Sequence, residues 1–326
     1  MPLGWYLAQG LYPLGPSESD DEEGPCELPD GRIVCGPHGL VTCGKCCTDY
    51  SFMDDMSSEA EDDEEEEGED EEEDEHDEDD GSINGSVIVA HPRPRLSDNY
   101  DSHGHIKKRR GTGQAFPTQF TPPTSSILPT ELFRGQRTYA ELTRYIHRDD
   151  PGAVLILTDG ACLNNGQPNP KAGWAFVHGP GQSGDPLIAS GRLESKGPFG
   201  DESIQSSNRA ELRAVIAVLR FRHWTGEGFH TMTIATDSEY VVEGSTKWAR
   251  TWLRNDWKTS AGSDVKNKDL WQMLLGEVER WAEEEFSIQF WQIPRDWNQV
   301  ADAAAKKAAL KDEVSGWMDM FGLCVW

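Results

Sequence analysis

Apolar positions between residues 151 and 312 keep two rhythms. Some runs are short and continuous or alternating, with β-branched residues; others space apolar residues three and four apart, so strands and helices interleave. Ala153 to Asp159 (Ala-Val-Leu-Ile-Leu-Thr-Asp) is apolar on both faces and ends in a carboxylate. Such a run suits a central strand covered on two sides. Further strands are expected at Ala172 to Val177, Ile188 to Leu193, Thr231 to Thr236 and Phe286 to Ile293, the first three strands being joined by Gly- and Pro-rich hairpin turns. A helix is expected from Asn208 to Arg222, burying Leu212, Val215, Ile216 and Leu219, with Ser207 as its N-cap. Others follow at Ser238 to Gly244, Thr246 to Asn255 and Asn267 to Glu283, and a last one runs from the cap Asn298 through Leu310. This order predicts an α/β fold, a mixed five-stranded sheet flanked by helices and opened by an antiparallel meander.

The flanks are organised differently. Residues 1–24 carry no period and read as a flexible N-terminus, 25–53 as a Cys-rich segment, and 54–128 as a disordered acidic and Pro/Gly/Ser-rich linker. Residues 129–150 read as a helical lead-in, with Leu142 and Ile146 on one face, and 313–326 as a short apolar and aromatic tail that packs back on the core.

Net charge looks decisive at −28 until it is localised. Nineteen of the twenty-two residues from Glu59 to Asp80 are acidic, which leaves about −9 elsewhere and −3 on residues 151–312. Overall acidity therefore does not exclude a polyanionic partner for the folded part. Within it, Lys247 to Lys268 holds six basic residues against Asp256 and Asp264. No apolar run reaches membrane-spanning length and no secretion or transit signal is legible, so the expectation is an intracellular protein, nuclear or cytoplasmic, without a membrane partner. Lys107-Lys-Arg-Arg110 reads either as an import signal or as a nucleic-acid contact.

Five of the seven cysteines lie between Cys26 and Cys47. Cys35-x2-His38 and Cys43-x2-Cys46 offer two ligand pairs with turn residues between them, enough for one structural Zn²⁺. Reduced, unliganded thiols are the alternative. A closed site of this kind serves interaction rather than chemistry, so a protein partner through this segment is one expectation; the acidic tract reads first as a solvated spacer, with a partner-binding tail as its alternative.

Four acids stand out by position. If the strands ending in Asp159 and Asp237 are parallel neighbours, their carboxylates meet, and a divalent cation relieves the repulsion. Glu211 and Asp302 each fall in the first turn of an expected helix. Each acid alone has a bland explanation in the helix dipole or in strand-ending turn chemistry.

Taken together with their neighbours, Thr158-Asp-Gly-Ala-Cys162, Ser207-Asn-Arg-Ala-Glu-Leu212, Thr236-Asp-Ser-Glu-Tyr240 and Asn298-Gln-Val-Ala-Asp302 resemble, in order and spacing, the four signature segments of ribonuclease H type 1. Asp256 to Trp271 is similar to that family's basic, tryptophan-bearing handle. The resemblance covers about half the chain, Ala153 to Asp312, and does not extend to the Cys-rich segment. It implies a ribonuclease H-like fold and an endoribonuclease that hydrolyses the RNA strand of RNA:DNA hybrids with two Mg²⁺ or Mn²⁺ ions. Asp159 would bridge the metals, Asp237 and Glu211 joining it on one and Asp302 on the other. It further implies a DNA-phosphate pocket at Ser206 and Asn267, and DNA-sugar contacts from Trp248 and Trp252, which at i, i+4 also suit a helix core. Selecting RNA requires reading a 2′-hydroxyl, for which Cys162, Asn165, Asn208 and Glu211 are candidates.

One segment departs from the family. Gln292-Ile-Pro-Arg-Asp-Trp-Asn298 stands where a Gly-His-Ser loop is usual, and it has no His. With the four acids intact, slower turnover is expected, since general acid–base help contributes roughly 10²–10⁴ in rate. A catalytically silent hybrid-binding scaffold and a different nuclease on the same fold stay open as alternatives.

Overall fold

The computed structural model describes residues 99–322, except 103–104, 139–141, 182–183 and 260–261, together with short pieces between residues 12 and 49. In chain order the main body comprises β1 (Thr118–Gln119), α1 (Pro129–Leu132), β2 (Phe133–Arg137), β3 (Thr143–His147), β4 (Asp150–Leu163), β5 (Lys171–Pro180), β6 (Pro186–Arg192), α2 (Ser207–Phe221), β7 (Thr231–Thr236), α3 (Glu239–Glu243), α4 (Ala249–Arg254), α5 (Lys268–Glu283), β8 (Ser287–Gln292) and α6 (Gln299–Ala308). A π turn, Gly244–Trp248, joins α3 to α4.

One mixed sheet carries the strand order β6-β5-β4-β7-β8-β1, and the β2–β3 hairpin pairs with the first half of β4. β4 is antiparallel to β5 and parallel to β7, and β7 is parallel to β8. The continuous apolar run explains this central place, because successive side chains of β4 feed opposite faces. Val154 and Ile156 join the core under α2, whereas Ala153, Leu155 and Leu157 join a second core with Leu132, Phe133, Trp291 and Ala301. α2 is buried along its whole length between the sheet and α5. Among the described residues no helix is long and apolar enough to cross a membrane.

The mixed α/β architecture is as expected, but among the described residues the sheet has eight strands rather than five. The expected helical lead-in is instead one turn of helix followed by the β2–β3 hairpin. Leu142 and Ile146 looked like one helical face, yet Thr143–His147 has the alternating burial of a strand. That strand buries Arg144 completely, where it pairs with Glu227 at 2.9 and 3.1 Å. Propensity lost to tertiary pairing here.

The expected linker 54–128 is also wrong in its last part. β1 adds a parallel strand beside β8, and the residues before it form a strap along α5. Glu279 accepts the backbone N–H groups of Thr112, Gly113 and Gln114 at 2.7, 2.6 and 3.0 Å. One carboxylate thus anchors a whole turn of extended chain, a kind of contact with no sequence period to announce it. The tail packs back as expected: Arg220 binds Asp319 at 2.7 and 2.8 Å, and Arg213 donates to the Met318 carbonyl at 2.6 Å.

Candidate active site

Register fixes the first half of the site. Leu157 of β4 faces Ala235 of β7 in parallel pairing, so two residues further on Asp159 and Asp237 emerge on the same side of adjacent strands. They stand within hydrogen-bonding reach of each other. Asn298, the residue before α6, is almost fully buried and donates from one amide nitrogen to the Thr158 carbonyl at 2.9 Å and to Asp237 Oδ1 at 2.7 Å. Its side chain therefore ties the last helix to the strand pair instead of capping its own helix.

The second half comes from α2 and α6. Glycine at 160 lets α2 approach, since a Cβ there would lie 2.1 Å from the Glu211 nitrogen. The N-cap is Ser206 rather than Ser207: its hydroxyl accepts the Arg209 N–H at 3.3 Å, while Ser207 accepts from Asn165 at 3.0 Å. The helix so placed starts at Ser207, which puts Glu211 just beyond its first turn, not within it. Asp302 does lie in the first turn of α6 and pairs with Arg295 at 3.2 Å and Lys306 at 2.9 Å.

Electrostatics join the four acids. Burial raises the pKa of Asp159 well above the usual carboxylate range, and the charges of Asp237 and Asp302 add to it. Glu211 is raised well above it too, first by burial and then by Asp159 and Asp237, against the pull of the Gly160 N–H. Arg295 moves the opposite way: burial opposes its charge, but Asp237, Asp302 and Asp159 outweigh that and raise its pKa. Its guanidinium reaches the acids from the short 3-10 turn Arg295–Trp297, the segment that lacks a histidine.

Asp159 Oδ2 and Glu211 Oε2 are buried with no hydrogen-bond partner among the described residues. Such orphaned oxygens are costly. Hard divalent cations take oxygen ligands of this kind, so the donor set fits Mg²⁺ or Mn²⁺. Among the described residues no three Asp, Glu, His or Cys side chains are already gathered as a set that could hold a metal ion, and Asp302 is engaged by Arg295 and Lys306.

A cavity of about 560 Å³ lies beside the start of α2 and is lined by Ser206, Asn208, Asn267 and Trp252, all expected from the sequence. Asn267 sits at φ 58° just before α5 and donates to the Tyr240 hydroxyl at 3.2 Å, which also receives the Trp271 N–H at 2.9 Å. Trp248 and Trp252 are each 8% exposed and pack in one aromatic cluster with Tyr240 and Trp271. They are core first, and of the two Trp252 also reaches the cavity. Cys162 is fully buried as a whole residue and pairs with Ala172 inside the sheet. Sequence reasoning missed two contributors. Asn298 had passed for an ordinary cap, and Tyr240, though it closes the segment Thr236 to Tyr240, carried no charge to single it out. Of the expected zinc ligands, Cys35 and Cys43 lie on short strands, whereas His38 and Cys46 fall outside the described residues.

Fold and site together define an α/β domain with a buried carboxylate centre at the rim of its two central parallel strands. The RNase H family model matches residues 151–310. Ribonuclease H of Treponema pallidum is 40% identical over 126 residues, spanning 37% of this chain and 70% of the relative. That of Neorickettsia sennetsu is 35% identical over 162 residues, 48% of this chain and 91% of the relative. Among solved structures, LC9-RNase H1, described as a type 1 RNase H with the type 2 active-site motif, is 26% identical over 48% of this chain and 72% of its own, with a TM-score of 0.35. The chain belongs to the ribonuclease H family, whose members generally use divalent metal ions.

Proposed function

We propose that this protein is an endoribonuclease that cuts the RNA strand of RNA:DNA hybrids at the centre formed by Asp159, Glu211, Asp237 and Asp302. The observation that carries the reading is the pair of buried, partnerless oxygens on Asp159 and Glu211, set against two further acids. These carboxylates would hold two Mg²⁺ or Mn²⁺ ions, and such ions would supply an activated water and charge relief on the leaving 3′ oxygen.

The chain's own side chains do the rest. Asn298 fixes the orientation of Asp237 through its 2.7 Å hydrogen bond. Arg295 keeps a fixed positive charge beside the acids, where the family's histidine is missing. Ser206 and Asn267 hold a DNA-strand phosphate in the cavity, and Cys162, Asn165, Asn208 and Glu211 are the candidates for reading the RNA 2′-hydroxyl. This machinery occupies residues 151–312; the segment 25–53, with Zn²⁺ on Cys35, His38, Cys43 and Cys46, recruits a protein partner in the nucleus or cytoplasm.

The test is cleavage of labelled RNA in a hybrid by the full chain. Mg²⁺-dependent cutting that spares single-stranded RNA and duplex DNA is expected, with none in Asp159→Asn. Cleavage that persists in Asp159→Asn refutes the assignment of the centre, and hybrid binding without any cutting by the wild type favours a silent scaffold.

A further inference from the structure

The basic tetrad Lys107 to Arg110 lies outside the family-matched region, yet it is built into the folded body. Arg109 donates to the Gly276 carbonyl at 2.9 Å and to Glu283 at 2.8 Å. Gly111 and Gly276 let the strap and α5 touch, because a Cβ on Gly111 would meet the Gly276 nitrogen at 2.5 Å and one on Gly276 the Arg109 carbonyl oxygen at 2.4 Å. With Glu279 gripping the next three residues, the strap has one register along the helix.

That register delivers Arg110 to the cavity that Ser206, Asn208 and Asn267 also line. Its guanidinium lies 3.8 Å from the centre of the Phe199 ring and donates to the Gln272 side chain. Stacking on an aromatic face and one hydrogen bond fix the plane of the fork. A guanidinium has five N–H donors, so most remain for a ligand.

Charge gives this placement its consequence. The cavity is lined by four cations and three acids, and Arg209 and Asp269 among them neutralise each other in a two-pronged pair. With Arg110 the wall is net positive; without it, Lys266 and Lys268 only balance Asp201 and Glu202. The sign of the cavity therefore depends on a residue contributed from outside the matched domain.

We propose that Arg110 is a nucleic-acid-binding residue that contacts a backbone phosphate of the bound hybrid, so that the strap completes the substrate groove in cis. The inference rests on the hybrid-cleaving reading above. In the full chain, binding of a fluorescent RNA:DNA hybrid is followed by anisotropy without divalent metal, from 50 to 200 mM salt, beside steady-state cleavage with Mg²⁺. Losing one phosphate contact reduces the salt slope by about 0.9 and weakens binding about fivefold near 0.15 M salt. Arg110→Gln is expected to show both changes, with KM raised, kcat within twofold of wild type, and an unchanged melting temperature. Phe199→Leu, which keeps the charge but removes its support, is expected to weaken binding with the slope retained. Lys108→Gln, whose side chain lies over Trp317 away from the cavity, is expected to match wild type. Wild-type binding and slope in Arg110→Gln overturn the inference while leaving the ribonuclease reading intact, as does an equal loss in Lys108→Gln, which marks bulk charge. A wild-type chain that neither binds nor cuts hybrid overturns both.

Discussion

Replacing Asp159 by asparagine should stabilise the metal-free protein while abolishing its activity. Asp159 is 3% exposed, its Oδ2 has no partner among the described residues, and burial together with Asp237 and Asp302 raises its pKa. A raised acid keeps in the native state a proton that the unfolded chain has released, so its favourable contribution is complete below the ordinary carboxylate pKa. That contribution is lost as pH climbs through the raised native value. Asparagine has the same shape, carries no charge and donates a hydrogen bond toward Asp237. An unsatisfied buried polar group costs about 1–3 kcal/mol, and each kcal/mol shifts the melting temperature of a 150–250-residue body by about 2–4 °C. Scanning calorimetry in chelator between pH 5 and 8 should therefore place Asp159→Asn roughly 2–12 °C above wild type, with the gap widening toward high pH. Added Mg²⁺ should then stabilise wild type more than the variant. A variant that melts below wild type throughout this range would refute the reasoning, because the carboxylate would then be contributing to stability rather than straining it.

Three other substitutions probe the supports of the site. Asn298→Ala removes the buried donor to Asp237 and Thr158; a loss of about 1.5–3 kcal/mol in denaturant unfolding is expected for a bond to a charged group, with a larger loss of hybrid cleavage than of hybrid binding. Gly160→Ala drives a methyl against the Glu211 backbone; overpacking of about 1–3 kcal/mol is expected in urea melts, with cleavage falling because Glu211 is displaced. Glu279→Ala frees three backbone N–H groups of the strap; limited proteolysis should then cut between residues 105 and 117, where wild type resists.

The catalytic half of the molecule was legible because its signals are local or periodic. The apolar run of β4, the helical stripe of α2, the strand-end places of Asp159 and Asp237 and the first-turn place of Asp302 survive in the structure, whereas Glu211 falls just past the first turn of its helix. Whatever depended on long-range pairing was not legible. Thr143–His147 carries too few residues to separate a strand from a helix by period, and its partner β4 decided the outcome. The strap looked like linker because its order comes from Glu279, far along the chain, whose carboxylate satisfies backbone groups that leave no sequence pattern. Asn298 shows the same limit within the site: its position was read correctly as a helix start, but its side chain serves Asp237 instead. Trp248 and Trp252 had two readings that spacing could not separate, and burial against Tyr240 and Trp271 places both in the core.

The claim on which all this turns is that four carboxylates distant in sequence hold divalent cations in common. Crystals of the full chain soaked in Mn²⁺ and measured for anomalous scattering address it without reference to activity. Density among Asp159, Glu211, Asp237 and Asp302 is expected, and it should vanish in Asp159→Asn. Manganese bound elsewhere, with those four side chains still empty of metal, would contradict it.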